Sequence, residues 1–138
     1  MTIPYRVFRI ETKQFAIFPD YFENGSPVKV NSSFSFAPSR NLSAIRCKSR
    51  FDYVQGDNNL LVLELYVDFQ IAEEGIANIK KEGIIPVDFL RYMGTIVVGT
   101  ARGIIHSKTE GTVLNSVVLP PINLVEVITK DMQLDIKS

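Results

Sequence analysis

The sequence has a single cysteine, a single histidine and no excess of charge of either sign among its 138 residues. One cysteine, Cys47, excludes an internal disulfide framework and any zinc or iron–sulfur site built on several cysteines. One histidine, His106, excludes a metal site built on a histidine pair. Fifteen Lys and Arg balance fifteen Asp and Glu, whereas a nucleic-acid module normally carries a basic excess. The composition therefore indicates one globular domain without a metal site and without a nucleic-acid partner.

Long apolar runs are also missing. The longest candidate, residues 95–105, is broken by Arg102 and is much shorter than the roughly 20 residues of a membrane-spanning helix. Residues 1–12 mix arginine and glutamate with apolar residues, unlike a secretory signal. We therefore expect a cytoplasmic protein that does not insert into a membrane. A neutral surface is poorly protected from self-association, so we also expect another copy of the chain to cover part of it.

Groups of residues typical of catalysis are equally scarce. Cys47 and His106 could form a nucleophile–base pair only through long-range folding, and the alternating pattern around Cys47 favours a buried structural thiol. Glu64 and Asp68 lie on one strand face, roughly 13 Å apart, which is too far for a retaining carboxylate pair. We therefore predict that the protein is not an enzyme and has no catalytic residues and no cofactor.

Apolar and polar residues alternate in the first half of the chain, which indicates strands over about 28–36, 45–53 and 61–71. A less regular strand is expected from Tyr5 to Phe18, with a bend near Thr12. Cations on the third strand and anions on the fourth share the polar face, so cross-strand ion pairs are expected. Glu73-Glu74-Gly75 is interpreted as the exit from the last strand.

The period of the pattern changes after Pro86. Spacings of three and four separate the apolar residues Leu90, Met93, Val97, Ala101 and Ile104, which predicts a helix over about 87–108. Three glycines and several β-branched residues lower the helix propensity of this segment, so two short strands over 95–107 are the alternative.

A second helix is predicted over about 123–132. Pro120-Pro121 cannot lie inside a helix, Asn123 is placed to cap one, and Glu126 occupies the capping-box position. Strands followed by helices predict a single α+β domain over residues 1–138, with a four-stranded antiparallel sheet and two helices packed on one face.

Several segments resemble the SecB protein-export chaperone family. The strand from Tyr5 to Lys13, the Ala101-Arg102 step and the Leu-Pro-Pro-Ile-Asn-Leu segment at residues 119–124 are similar to family sequences, and the likeness covers about residues 5–128. The resemblance implies a four-stranded sheet with two helices and a dimer of dimers. It also implies an ATP-independent holdase that binds unfolded polypeptides in protein export.

The sequence departs from that family in two respects. Members that deliver clients to the SecA motor have an acidic sheet surface and a longer C-terminal tail. Here the outer face mixes both signs, with Lys29, Arg46, Lys48, Arg50, Asp52, Glu64 and Asp68. Docking to a SecA-type motor is therefore left open. A dedicated chaperone of a toxin–antitoxin pair fits equally well, and a ligand-binding or structural module with an enclosed apolar pocket is the other alternative.

Two groups of residues are candidate binding sites. The candidate client contacts are aromatic and aliphatic side chains near the first strand and the last helix, namely Phe15, Phe18, Tyr21, Phe22, Leu119, Ile122 and Leu124. For each residue taken singly, a place in the core is the favoured interpretation, and Tyr21 and Phe22 are the two expected to be exposed. The candidate subunit interface is a face of the first helix with Thr95, Gly99, Arg102 and Gly103. Packing against the chain's own loops is the alternative for this face, and Arg102 either pairs across an interface or is solvated.

Overall fold

The computed structural model describes residues 3–134. Four long strands form the main sheet: β1 (Tyr5–Ile17), β2 (Lys29–Pro38), β3 (Ala44–Gln55) and β4 (Asn58–Ile71). The second half contains three helices and two short strands: α1 (Glu73–Glu82), β5 (Ile84–Ile85), α2 (Val87–Lys108), α3 (Leu124–Val127) and β6 (Met132–Gln133). Single 3₁₀ turns lie at Pro19–Tyr21 and Val113–Ser116.

The four long strands form an antiparallel sheet in the order β1-β4-β3-β2, which confirms the predicted α+β class. The register of β1 against β4 shifts between Val7 and Arg9 and again between Thr12 and Gln14. The second shift lies at the predicted bend. β1 and β2 are the edge strands, so one side of each backbone is not paired within the sheet.

One face of the sheet holds the hydrophobic core. The core-facing side chains of β3 and β4 include the fully buried residues Ile45, Cys47, Phe51, Tyr53, Leu61, Leu63, Leu65, Val67 and Phe69. α2 packs on this face through buried residues that include Leu90, Met93, Val97, Ala101 and Ile105. The predicted helix over 87–108 is therefore confirmed, and it continues unbroken through 95–107. The buried face of α2 ends at Ile105, whereas Ile104, the last residue of the predicted apolar face, is half-buried.

The prediction of two helices is wrong in number, because α1 follows β4 directly. The signal for α1 is its charge pattern, with Glu73 and Glu74 in the first turn and Lys80 and Lys81 in the last, which complements the helix dipole. α1 ends at Gly83, whose φ of +71° is readily adopted by glycine.

The predicted helix over 123–132 is also too long, because α3 is a single turn. The Asn123 side chain does cap it, accepting a hydrogen bond of 3.1 Å from the Val125 N–H. Ile128 is already extended at the C-terminus of α3. Val127, Ile128 and Thr129 are β-branched and disfavour helix, so capping starts the turn but the sequence does not extend it.

Residues 117–134, here called the strap, return along one flank of α2. Arg102 on α2 donates hydrogen bonds to the carbonyl oxygens of Leu119 (2.8 Å) and Pro120 (3.1 Å). Nearer the start of α2, Arg91 donates to the Ile128 carbonyl at 2.9 Å. The Asp131 carboxylate then accepts from the N–H of Val87, the first residue of the helix, at 2.8 Å. The strap is therefore held along the length of α2.

Glycine at position 75 allows α1 to approach the N-terminal segment. A Cβ at Gly75 would lie 2.6 Å from Ile3 Cγ2 and 3.1 Å from Ile71 Cγ2. We expect Gly75→Ala to lower the free energy of unfolding in urea by about 1–3 kcal/mol, the usual cost of overpacking. Gly99→Ala on α2 is the control, because its Cβ would meet nothing within 4 Å. It should raise stability by up to about 1 kcal/mol through helix propensity. Equal effects of the two substitutions would contradict this interpretation.

Two buried acidic groups make stability depend on alkaline pH. Burial raises the pKa of the Cys47 thiol from 9.0 to about 12 and that of the Tyr53 phenol from 10.0 to about 12. Between the ordinary and the raised pKa values the folded state binds more protons than the unfolded state, so stability falls as pH rises through this range. The free energy of unfolding should therefore fall above pH 9. In Cys47→Ala the fall should begin near pH 10, where Tyr53 starts to ionise in the unfolded chain. An unchanged onset in the variant would show that Cys47 is not the group responsible.

Candidate polypeptide-binding surface

Two aromatic side chains lie at the surface where β1 ends. Phe18 is 42% exposed and Tyr21 is 55% exposed, and their ring centroids are 6.5 Å apart. The Phe18 N–H donates to the Leu60 carbonyl at 2.9 Å, which fixes the turn beside the start of β4. Neither residue is among the buried side chains of the core. These residues, here called the loop aromatic pair, therefore present exposed apolar surface.

The other two aromatic candidates of this region contribute to the core. Phe15 and Phe22 are half-buried and pack against the buried cluster. The prediction that Tyr21 and Phe22 are exposed is therefore right for Tyr21 and wrong for Phe22. The reason is the 3₁₀ turn, in which the Phe22 N–H bonds to the Pro19 carbonyl at 3.1 Å and the chain is turned back onto the core.

The three candidate client contacts in the strap lie apart from the aromatic candidates. Leu119 is 1% exposed, so it is a core residue and offers no surface to a partner. Ile122 and Leu124 are half-buried against the core. Leu124 faces Gly94, whereas Phe15 lies under the Lys108 ammonium at the other end of α2. Fourteen residues of helix separate these points by about 21 Å. The sequence-predicted client contacts therefore form two separate groups.

Sequence reasoning missed three exposed valines of the strap. Val118, Val125 and Val127 are 56%, 61% and 41% exposed. Val125 and Val127 belong to α3, which is too short to bury both of its sides. Their β-branched character in a segment after two prolines was the available signal for a short exposed turn.

Thr95, Gly99 and Gly103 form an exposed stripe on α2. A Cβ at Gly99 or Gly103 would have no neighbour within 4 Å, so this stripe does not pack against the chain's own loops. Contact with a second subunit stays a prediction. Arg102 also acts within the chain, because its Nε and Nη2 donate to the strap carbonyls of Leu119 and Pro120. Its contact with a second subunit likewise stays a prediction.

A second apolar surface, which the sequence did not reveal, lies between β1 and α2. Val7 and Ile10 of β1 are registered opposite Phe69 and Val67, on the core-facing side of the sheet. They are nevertheless 36% and 53% exposed, and Tyr92 of α2 is 60% exposed. Val7, Ile10 and Tyr92 are here called the β1 inner flank.

The course of α2 explains this exposure. Its first turn places Phe89 against Tyr5, with ring centroids 5.1 Å apart, and its last turn places Lys108 over Phe15. Between these points the helix packs on β3 and β4 and leaves the middle of β1 uncovered.

The groups considered for catalysis are not brought together. Cys47 is fully buried in the core and protonated near neutral pH, whereas His106 is exposed on α2. Glu64 and Asp68 instead pair across strands, with Arg50 and Arg46 respectively, both at 2.8 Å. These two ion pairs confirm the expected cross-strand pairing. Within residues 3–134, no group of three or more His, Cys, Asp or Glu side chains is placed to hold a metal ion.

None of the helices between residues 3 and 134 is long and apolar enough to cross a membrane.

Comparison with known proteins gives one likeness to report. Neither a family model nor a curated protein matches this chain. Among solved structures, the chain is similar to a SecB-like chaperone of Mycobacterium tuberculosis in complex with a peptide from an antitoxin. The match covers 97% of this chain and 91% of that chain, with 14% sequence identity and a TM-score of 0.43.

Proposed function

We propose that this protein is a non-enzymatic, ATP-independent holdase that binds unfolded or partner polypeptides through apolar surface. The observation that carries the proposal is the loop aromatic pair, two neighbouring aromatic side chains that are exposed at the surface. Exposed apolar groups of this kind are typical of interaction sites. A holdase acts by mass action on the unfolded chain and needs such surface instead of positioned catalytic groups.

The alternative of a ligand-binding module is less well supported. It requires an enclosed apolar pocket between the sheet and the helices. That space is occupied by fully buried side chains of β3, β4 and α2, with Phe51, Leu63, Met93 and Val97 among those at 0% exposure. The apolar groups that remain available lie at the surface, where a flexible polypeptide can reach them.

The type of client separates two versions of the proposal. A general export holdase would bind many unfolded chains in the cytoplasm, whereas a dedicated chaperone of a toxin–antitoxin pair would bind one. Purification of the tagged full-length protein from its native cytoplasm, followed by mass spectrometry, distinguishes them. Many secretory precursors support the first version and a single stoichiometric partner supports the second. No co-purifying polypeptide would count against both.

Removal of the loop aromatic pair should weaken client binding without unfolding the chain. In the double variant Phe18→Ser/Tyr21→Ser, we expect at least about a fivefold loss of affinity for an unfolded client, because two large aromatic contacts are lost. The measurement is fluorescence anisotropy of a labelled, reduced and unfolded client, together with suppression of its aggregation at equimolar protein.

Val113→Ser is the matched control, because Val113 is 46% exposed and lies on the 3₁₀ turn after α2. It should leave client affinity unchanged. Circular dichroism should show native folding of both variants. Normal client binding by the folded double variant would contradict the assignment of this site, and failure of the wild type with several clients would contradict the holdase function.

We further propose that the chain self-associates through β1. As an edge strand it has one side of its backbone that no strand of residues 3–134 pairs with, and its inner flank has exposed Val7 and Ile10. A second β1 strand can satisfy both by extending the sheet and covering the apolar side chains. The open stripe of Thr95, Gly99 and Gly103 on α2 would then lie on the same side of the sheet, available for contact between helices.

Charge placed on the inner flank should disrupt this assembly. Ile10→Lys should shift the protein toward monomer, with the dissociation constant raised on the order of tenfold or more, because a lysine would be buried against apolar groups. The measurement is sedimentation velocity over a concentration series. Gln14→Lys is the control, since it adds the same charge to the opposite face of β1. An Ile10→Lys protein as oligomeric as wild type would exclude this interface, and loss of client binding instead would indicate that clients occupy the β1 edge.

A further inference from the structure

The zero net charge conceals an excess of positive charge on one face of the sheet. The outer face of the sheet, opposite the core, has seven cationic and four anionic side chains. The cations are Arg6, Arg9, Lys13, Lys29, Arg46, Lys48 and Arg50, and the anions are Glu11, Asp52, Glu64 and Asp68. The rest of residues 3–134 has seven cations and ten anions. The outer face, here called the basic sheet face, therefore has an excess of three positive charges, and the remainder has three negative charges.

The positive charge is concentrated around Tyr66 at the centre of this face. Its ring lies 5.5 Å from Lys13 Nζ, 5.5 Å from Arg46 Cζ and 5.7 Å from Lys48 Nζ. The ring offers its electron-rich face to cations that would otherwise repel one another. Lys13 also pairs with Glu11 and Arg46 with Asp68. Lys48 has no ion pair with any carboxylate of residues 3–134, so its charge is free for a partner.

The small side chains of β2 create a depression beside these cations. Ser33 and Ser35 point outward from the edge strand, opposite Arg50 and Lys48 in the register. A surface depression is lined by these four residues together with Phe34, Ser49, Glu64 and Tyr66. Glu64 is held by Arg50 at 2.8 Å, so the depression keeps hydroxyl donors and the Lys48 ammonium for an incoming group. Because β2 is an edge strand, the depression is open along one side.

We infer that the basic sheet face docks an acidic, extended segment of a partner polypeptide along β2. Carboxylates of the segment pair with Lys48 and the surrounding cations, and the serine hydroxyls donate hydrogen bonds to its backbone carbonyls or side chains. The face is distinct from the loop aromatic pair and the β1 inner flank, which are apolar and lie away from it. The inference therefore does not depend on the proposed holdase function.

The chemistry of the face favours a polypeptide over nucleic acid. Nucleic-acid sites rely on a large basic excess and, for single strands, on several aromatic rings for stacking. Here the excess is three charges in a neutral chain, and four carboxylates interrupt it. Of the aromatic side chains on this face, Tyr66 is covered by cations, and Phe8 lies at the other side of Arg46 and Lys48. Carboxylates spaced along an extended chain match cations spaced along strands, since both repeat at about 6.6 Å for every second residue.

The test uses the full-length protein and a fluorescently labelled peptide of glutamate, glycine and serine, with a glutamine-for-glutamate peptide as its neutral counterpart. We expect the acidic peptide to bind and the neutral one not to, with affinity falling as NaCl rises from about 0.05 M to about 0.5 M. Lys48→Glu should lower the affinity for the acidic peptide roughly five- to tenfold. Lys80→Glu on α1 changes net charge by the same amount outside the basic sheet face and should have little effect on binding.

Several results would overturn the inference. One is an equal loss of affinity for the acidic peptide in Lys48→Glu and Lys80→Glu. Binding would then depend on the net charge of the protein and not on the basic sheet face. Another is tighter binding of a single-stranded oligonucleotide than of the acidic peptide at the same salt concentration. A third is displacement of the acidic peptide by an unfolded apolar client, which would place both on one surface. The client assay with the loop aromatic variant is independent of Lys48, so failure here is distinguishable from failure of the holdase proposal.

Discussion

The width of the sheet relative to a helix is the constraint on which the rest of the structure depends. Four antiparallel strands spaced about 4.8 Å apart place the edge strands about 14 Å from each other, whereas one helix is about 10 Å across with its side chains. α2 therefore covers the two central strands, where β3 and β4 provide the fully buried residues. The inner sides of both edge strands lie beyond the width of α2. On β2 the inner side chains Val30, Phe34 and Phe36 are half-buried, and on β1 Val7 and Ile10 are exposed.

The strap packs along one flank of α2. Polar atoms of the helix hold it: Arg102 and Arg91 use their guanidinium groups on strap carbonyls, and Asp131 caps the first turn of α2. Gly94 supplies the space into which Leu124 and Ile128 pack. Within residues 3–134, no equivalent segment lies over the middle of β1, and Val7 and Ile10 are exposed there. One edge strand therefore has apolar side chains at the surface although the core itself is well packed.

The distribution of charged side chains also follows from the geometry of the sheet. Alternation along the strands sends every second side chain to the outer face, so the cations of β1 and β3 collect on one side of a chain whose total charge is zero. Arg46 and Arg50 form ion pairs across strands. Lys13, Arg46 and Lys48 lie over the Tyr66 ring. A neutral composition argued against nucleic acid, but the face that results is basic and not acidic.

The sequence by itself determined the elements whose periodicity is strong. These are the alternating strands, the helix after Pro86, the buried state of Cys47 and the cap at Asn123, because local spacing and short-range hydrogen bonds decide them. Tertiary structure decided which side chains stay at the surface. Phe22 and Leu119 became core, Arg102 holds the strap, and Val7 and Ile10 were left exposed despite facing the core side. No local pattern contains that information, since exposure depends on where α2 and the strap lie across the sheet.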